Sequence, residues 1–141
     1  MRKKINIAFT LSIILILQSC YFGAGLVESS LTDNFSLFAN SSLEEMRIYY
    51  YVEQYHYETI VDEAVFAVGY NDDFIIAKRH PKDSTNHIDK NITTYHIINI
   101  ADCKAEPKES VELTEEEFRM KRTEFNLPKE LDFTIVYKEI E

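Results

Sequence analysis

From residue 31 to residue 101 the chain runs in short blocks rich in Tyr, Phe, Ile and Val, set apart by polar residues and almost free of glycine and proline. Branched and aromatic side chains suit a pleated, half-buried surface, so these blocks predict β-strands. Their breaks place strands at 34–38, 46–52, 55–61, 64–70, 74–80 and 92–101. Short polar connections make consecutive antiparallel pairing the simplest arrangement. The clearest turn is Asn71-Asp72-Asp73, whose residue types tolerate turn conformations and whose flanks are apolar or alternating. Period-2 geometry puts Phe66, Val68 and Tyr70 on one face, and Phe74 and Ile76 on one face across the turn. The polar stretch from Pro81 to Asn91 predicts a long exposed hairpin loop.

The pattern changes at Glu112. Thr114-Glu115-Glu116-Glu117 has the form of a capping box, with Leu113 and Phe118 at the two staple positions that fix the entry of a helix. The acidic triplet falls at the positive end of the helix dipole, and Arg119, Lys121 and Arg122 follow where cations are better placed. Asn126 and Pro128 stop the helix. Phe118 and Phe125, with Met120 or Leu127 at the edges, give it a narrow apolar stripe for docking on a sheet. Leu131, Phe133, Ile135 and Tyr137 then alternate with polar residues, the cleanest strand period in the chain. The expected fold is α+β with β dominant: an antiparallel β-meander, one C-terminal helix and a final strand.

The first twenty residues read differently. Arg2, Lys3 and Lys4 precede an apolar run from Ile5 to Leu17, shorter than the roughly 20 residues of a membrane-spanning helix. Leu17-Gln18-Ser19-Cys20 resembles the lipobox of bacterial lipoproteins. That resemblance implies cleavage before Cys20, diacylation of its thiol and acylation of its new amine, and two or more acyl chains give stable anchoring. The expected organisation is a signal peptide at 1–19, a lipidated tether at 20–30 and a single β-rich domain at 31–141.

Several motifs of the mature chain occur together: Val68-Gly69-Tyr70-Asn71-Asp72-Asp73-Phe74-Ile75-Ile76-Ala77-Lys78, the strand Tyr95-His96-Ile97-Ile98-Asn99, and Leu113-Thr114-Glu115-Glu116-Glu117-Phe118 followed by Leu127-Pro128. With the lipobox they resemble a family of small bacterial lipoproteins described as a domain of unknown function. The resemblance implies an address and a fold, and it carries over no active-site residue.

Charge narrows the partners. The full chain carries a net charge of -9, and loss of Arg2, Lys3 and Lys4 with the leader takes it to -12. Such a surface repels nucleic acid and anionic headgroups. Apart from Cys20 the single cysteine is Cys103, read as a small half-buried residue at a strand end, where the neighbouring Asp102 disfavours a thiolate. His56, His80, His87 and His96 lack zinc-site spacing. His80, Asp83, His87 and Asp89 could form a loop site, although a solvated polar loop is the better reading. His96, beside Tyr95, is expected to be packed or hydrogen-bonded within its strand. Asp72 and Asp73 read as turn residues, and Glu115 to Glu117 as helix-capping residues.

Tyr49, Tyr50, Tyr51, Tyr55 and Tyr57 lie on adjacent strands, so they must face both sides of a sheet. One side supplies core. The other, with Tyr49 and Tyr51, is covered by the helix or by cross-strand packing, or else offers a contact surface for a partner. The expectation is a lipid-anchored, non-enzymatic interaction module of the cell envelope with no cofactor or metal. It is held to the membrane through lipid on Cys20 and meets an envelope or secreted protein, in one version a basic toxin or enzyme, through Tyr49 and Tyr51. In a cell with two membranes the address is the periplasmic face of the outer membrane. The alternative is a small metal-dependent or histidine-based hydrolase using His80, His87, Asp89 and His96, and whether those side chains converge separates the two.

Overall fold

The computed structural model describes residues 25–54 and 56–141, which leaves the lipobox, Cys20 and Tyr55 outside the described residues. In chain order the elements are β1 (Val27–Thr32), β2 (Phe35–Ala39), a 3-10 turn (Leu43–Glu45), β3 (Arg47–Glu53), β4 (His56–Val61), β5 (Val65–Tyr70), β6 (Phe74–Arg79), β7 (Thr94–Asn99), α1 (Ile100–Ala105), α2 (Glu115–Glu124) and β8 (Ile135–Val136). The fold is α+β and dominated by antiparallel strands, with one main helix and a final strand. The strands divide into two sheets, ordered β1-β2-β3-β4 and β7-β6-β5-β8.

The two sheets face one another across a shared apolar layer. Leu31, Phe35, Leu37, Met46, Ile48 and Ile60 enter it from the first sheet, and Val65, Val68, Ile75, Ala77 and Ile98 from the second. On β2, β3 and β6 the inward residues follow the two-residue repeat of a strand, whereas on β5 Val65 and Val68 stand three apart across a register shift. The chain passes from one sheet to the other at Ala64, which takes a left-handed φ of 64°. Its N–H donates to the Glu44 carbonyl at 3.0 Å and its carbonyl accepts from the His80 N–H at 3.2 Å, so the corner is tied to the 3-10 turn before β3 and to the residue after β6.

The second sheet is covered on its other face as well. There Ile76 packs with Phe118 of α2 and with Leu127 and Leu131 beyond it, flanked by Phe74, Tyr95 and Phe133. Helix α2 starts as expected: the Thr114 hydroxyl accepts from the Glu117 N–H at 3.3 Å while the Glu117 carboxylate accepts from the Thr114 N–H at 2.8 Å. The docking stripe is narrower than its sequence suggests, because Phe118 is buried whereas Phe125 remains 41% exposed. Leu127 and Leu131 make the contact in its place, after Asn126 turns the chain with a φ of 50°.

Four local expectations change. Strand β1 begins at Val27, inside the stretch read as tether, and pairs with β2 from Val27↔Ala39 onward. The strand expected to reach residue 101 ends at Asn99, whose side chain accepts from the Asp102 N–H at 3.2 Å and caps the short helix α1. A register shift between Val65 and Ala67 separates Phe66 from Val68, so Val68 faces the inter-sheet layer while Phe66 packs with Ala67 and Ile140. The alternation after Leu131 persists, but only Ile135 and Val136 join the ladder, opposite Val68 and Ala67.

Gly69 is required by close approach. A β-carbon there would overlap the Asp132 carbonyl, which crosses β5 just before Thr134 donates to the Val68 carbonyl at 3.0 Å. Gly69→Ala is therefore expected to cost about 3 kcal/mol through overpacking, and Thr114→Ala about 1 kcal/mol through loss of the cap. Urea unfolding midpoints of the two variants check both magnitudes and their order.

Candidate functional site

Alternation along β3 sends Tyr50 inward, where its ring packs on Phe35 with centroids 4.8 Å apart, and sends Tyr49 and Tyr51 outward. On the outer face Phe38, Tyr49, Tyr57 and Tyr51 form a continuous edge-to-face row, with successive centroids 6.1, 6.3 and 5.3 Å apart. The register accounts for the row, since Ser36 and Thr59 flank Tyr49 and Tyr57 stands opposite Tyr51. Helix α2 packs on the second sheet, so it gives these rings no cover. What cover they have is mutual: Tyr49 and Tyr51 are half-buried by their neighbours, and Tyr57 is 56% exposed.

Charge surrounds this face. Arg47 lies at one end, donating to the Tyr49 hydroxyl at 3.2 Å and pairing with Asp62 at 3.0 Å and with Glu63. Lys82 joins Glu63 from the loop after β6. Burial raises the Asp62 pKa, but the Glu63 N–H and Arg47 outweigh it and hold the carboxylate below its ordinary value. At the other end His56 meets Glu58 at 3.0 Å.

The four histidines go to separate places. His56 is exposed on β4, and His87 lies in the exposed loop with its Nδ1 2.9 Å from the Thr85 hydroxyl. His80 is buried, stacked on Phe66 at 4.4 Å, with Nδ1 2.7 Å from the Ile92 carbonyl. His96 is buried on the inner face of β7, with Nδ1 2.7 Å from the Ser110 hydroxyl. Asp83 organises the loop by accepting from the Thr85 N–H and the His87 N–H, and Asp89 accepts from the Asn91 N–H. Among the described residues no three His, Cys, Asp or Glu side chains come together in a metal-holding group.

Other candidates take structural positions. Asn71, rather than the aspartates, closes the β5–β6 turn, its side chain accepting from the N–H groups of Asp73 and Phe74 at 3.0 and 2.8 Å. Cys103 sits on α1, not at a strand end, and is buried rather than half-buried; burial raises its thiol pKa. Sequence reading also passed over Arg79. It is 6% exposed, donates from Nε to the Glu63 carbonyl at 2.9 Å and pairs with Glu112 at 2.6 Å. Its place two residues beyond Ala77 on one strand face is the signal that could have revealed it.

Residues 32–140 match the model of the family described as "Protein of unknown function (DUF3997)". The chain belongs to this family. The DUF3997 match spans β2 to β8, both sheets and α2, so the aromatic row and the buried histidines all lie within it. No curated protein and no solved structure matches the chain. No helix among the described residues of this DUF3997 protein is long and apolar enough to cross a membrane.

Burial, and next the nearby Arg79, lower the His96 pKa from 6.5 to about 4. Between those values the unfolded chain carries a proton on this imidazole that the folded chain does not. The stabilisation is thus complete above pH 6.5 and is lost as pH falls toward 4, with a limiting slope of about 1.4 kcal/mol per pH unit. Urea unfolding from pH 7 to pH 5 should show this decline, and His96→Gln should flatten it. An equally steep decline in the variant would refute the assignment to His96.

Proposed function

We propose that this protein is a lipid-anchored interaction module of the cell envelope, attached through Cys20, that holds a partner protein against the outer face of its first sheet. The observation that carries this reading is the row of Phe38, Tyr49, Tyr57 and Tyr51, which no helix or strand among the described residues packs over. Tyrosines supply a large amphipathic contact area at low entropic cost, and interface anchors are enriched in them. The mature net charge of -12, reached from -9 by removal of Arg2, Lys3 and Lys4, favours a partner with a basic surface. Glu53 and Glu58 place carboxylates on β3 and β4, which bear three of the four rings, and Glu28 of β1 stands opposite Phe38.

Attachment at Cys20 is supported by the order of the leader: three cations, an apolar run, then Leu17-Gln18-Ser19-Cys20. Binding is favoured over a hydrolase by the histidines themselves, since His80, His87 and His96 are each engaged by a different local partner. No observation specifically favours catalysis.

Two measurements test the reading. Mass spectrometry of protein purified from membranes should find a chain beginning at Cys20 with acyl chains on it; a bare thiol behind an intact leader would remove the anchor. Crosslinking with mass spectrometry on the same membranes should yield a partner through the first sheet. The Tyr49→Ala/Tyr51→Ala variant should lose that partner while staying folded, and unchanged crosslinks would remove the surface.

A further inference from the structure

The second sheet has an open edge at β7. Tyr95 exchanges both main-chain hydrogen bonds with Leu113, each at 2.9 Å. By the two-residue repeat of a strand, the N–H and C=O of Ile97 point off the sheet in the same direction. The β6 partner agrees, because Ile76 stands opposite Ile97 in the same kind of pair that Lys78 makes with Tyr95. No described residue bonds to the Ile97 main chain. Instead the chain between α1 and Leu113 forms a strap tied down at Ser110, whose N–H donates to the Ile60 carbonyl at 2.8 Å and whose hydroxyl lies 2.7 Å from His96 Nδ1 of β7.

Between strap and strand lies a groove of about 660 Å³, walled by Ile97, Val111 and Phe125, with Cys103 of α1 also lining it. Val111 is 75% exposed and Phe125 41% exposed, so apolar surface faces water along it. We propose that this groove receives a short extended segment of another protein, apolar residues alternating with lysine or arginine, added as a strand to the edge of β7. This site is separate from the tyrosine face and does not depend on that face having a partner.

Three features select this occupant. Outward main-chain groups at Ile97 are complemented by an extended backbone, and side-chain pockets beside such an edge supply specificity. The strap, fixed at Ser110 and Leu113, leaves room for a single segment but stands in the way of a whole sheet edge, which disfavours a second copy of this chain. The charge left over is negative: around the groove Lys108 pairs with Glu106 and Lys121 with Glu124, while Asp102 and Glu109 make no ion pair among the described residues.

The test uses the full chain in detergent micelles and short random peptides displayed on phage. Enriched peptides should alternate apolar and basic residues, and the best of them, made synthetically, should slow hydrogen exchange at the Ile97 amide, which exchanges fast without peptide. N-methylation of one alternate set of its amides should abolish binding and methylation of the other set should not. Glu109→Lys and Val111→Arg, both at exposed positions, should each weaken binding by about threefold or more. No enrichment, or bound peptides that leave the Ile97 amide unprotected, would overturn the proposal. It would also fall if that amide were protected without peptide: loss of protection on dilution would assign the edge to a second copy, and persistence would assign it to the chain's own residues.

Discussion

One apolar layer shared by two sheets is the constraint on which this structure depends. Every strand that contributes to it must turn alternate residues inward, and the register of β2, β3, β5 and β6 follows from that demand. Where strict alternation would misplace a side chain, the strand takes an extra residue instead, Ile60 on β4 opposite the step from Ile48 to Tyr49 and Phe66 on β5 between Val65 and Ala67. The left-handed Ala64 belongs to the same economy. A tight corner lets Val61 and Val65 both reach the layer from different sheets.

The layer also decides where polarity can be tolerated. Arg79 shares the inner face of β6 with Ala77 and Ile75, yet it lies at the end of the strand, where Glu63 and Glu112 meet its guanidinium. His96 stands opposite Ala77 and is kept neutral by burial, with Ser110 as its hydrogen-bond partner. Removing the partner of a buried charge leaves that charge without compensation, and here the buried member is Arg79. The strap between α1 and Leu113 therefore does more than connect elements: Ser110 and Glu112 bring to the layer's rim the groups that Arg79 and His96 need.

Most of the strands were legible because their residues obey a period that only a half-buried sheet requires. Tyr49, Tyr50 and Tyr51 had to divide between two faces, and they do. The helix was legible from its cap, because Thr114 and Glu117 act locally and need no tertiary partner. Strand β1 was hidden because its inward positions are Val27, Ser29 and Leu31, too weak an apolar repeat to stand out among serines. Helix α1 was hidden by the run Ile97-Ile98-Asn99-Ile100, which reads as continuing strand although Asn99 is a good cap. Division into two sheets, and the choice of which one α2 covers, depend on long-range packing that no local pattern records. For the same reason the tyrosine face was foreseen as residues, while its cover stayed open between the helix, cross-strand packing and a partner.

Gly25 adds a geometric consequence. Its backbone lies so close to the Phe38 ring that any β-carbon there would press on it, so the chain enters the domain at the margin of the aromatic row. Five residue steps separate position 20 from this point, a contour of at most about 18 Å. An attachment at position 20, were it made, would therefore keep the aromatic row within a short reach of the point of attachment.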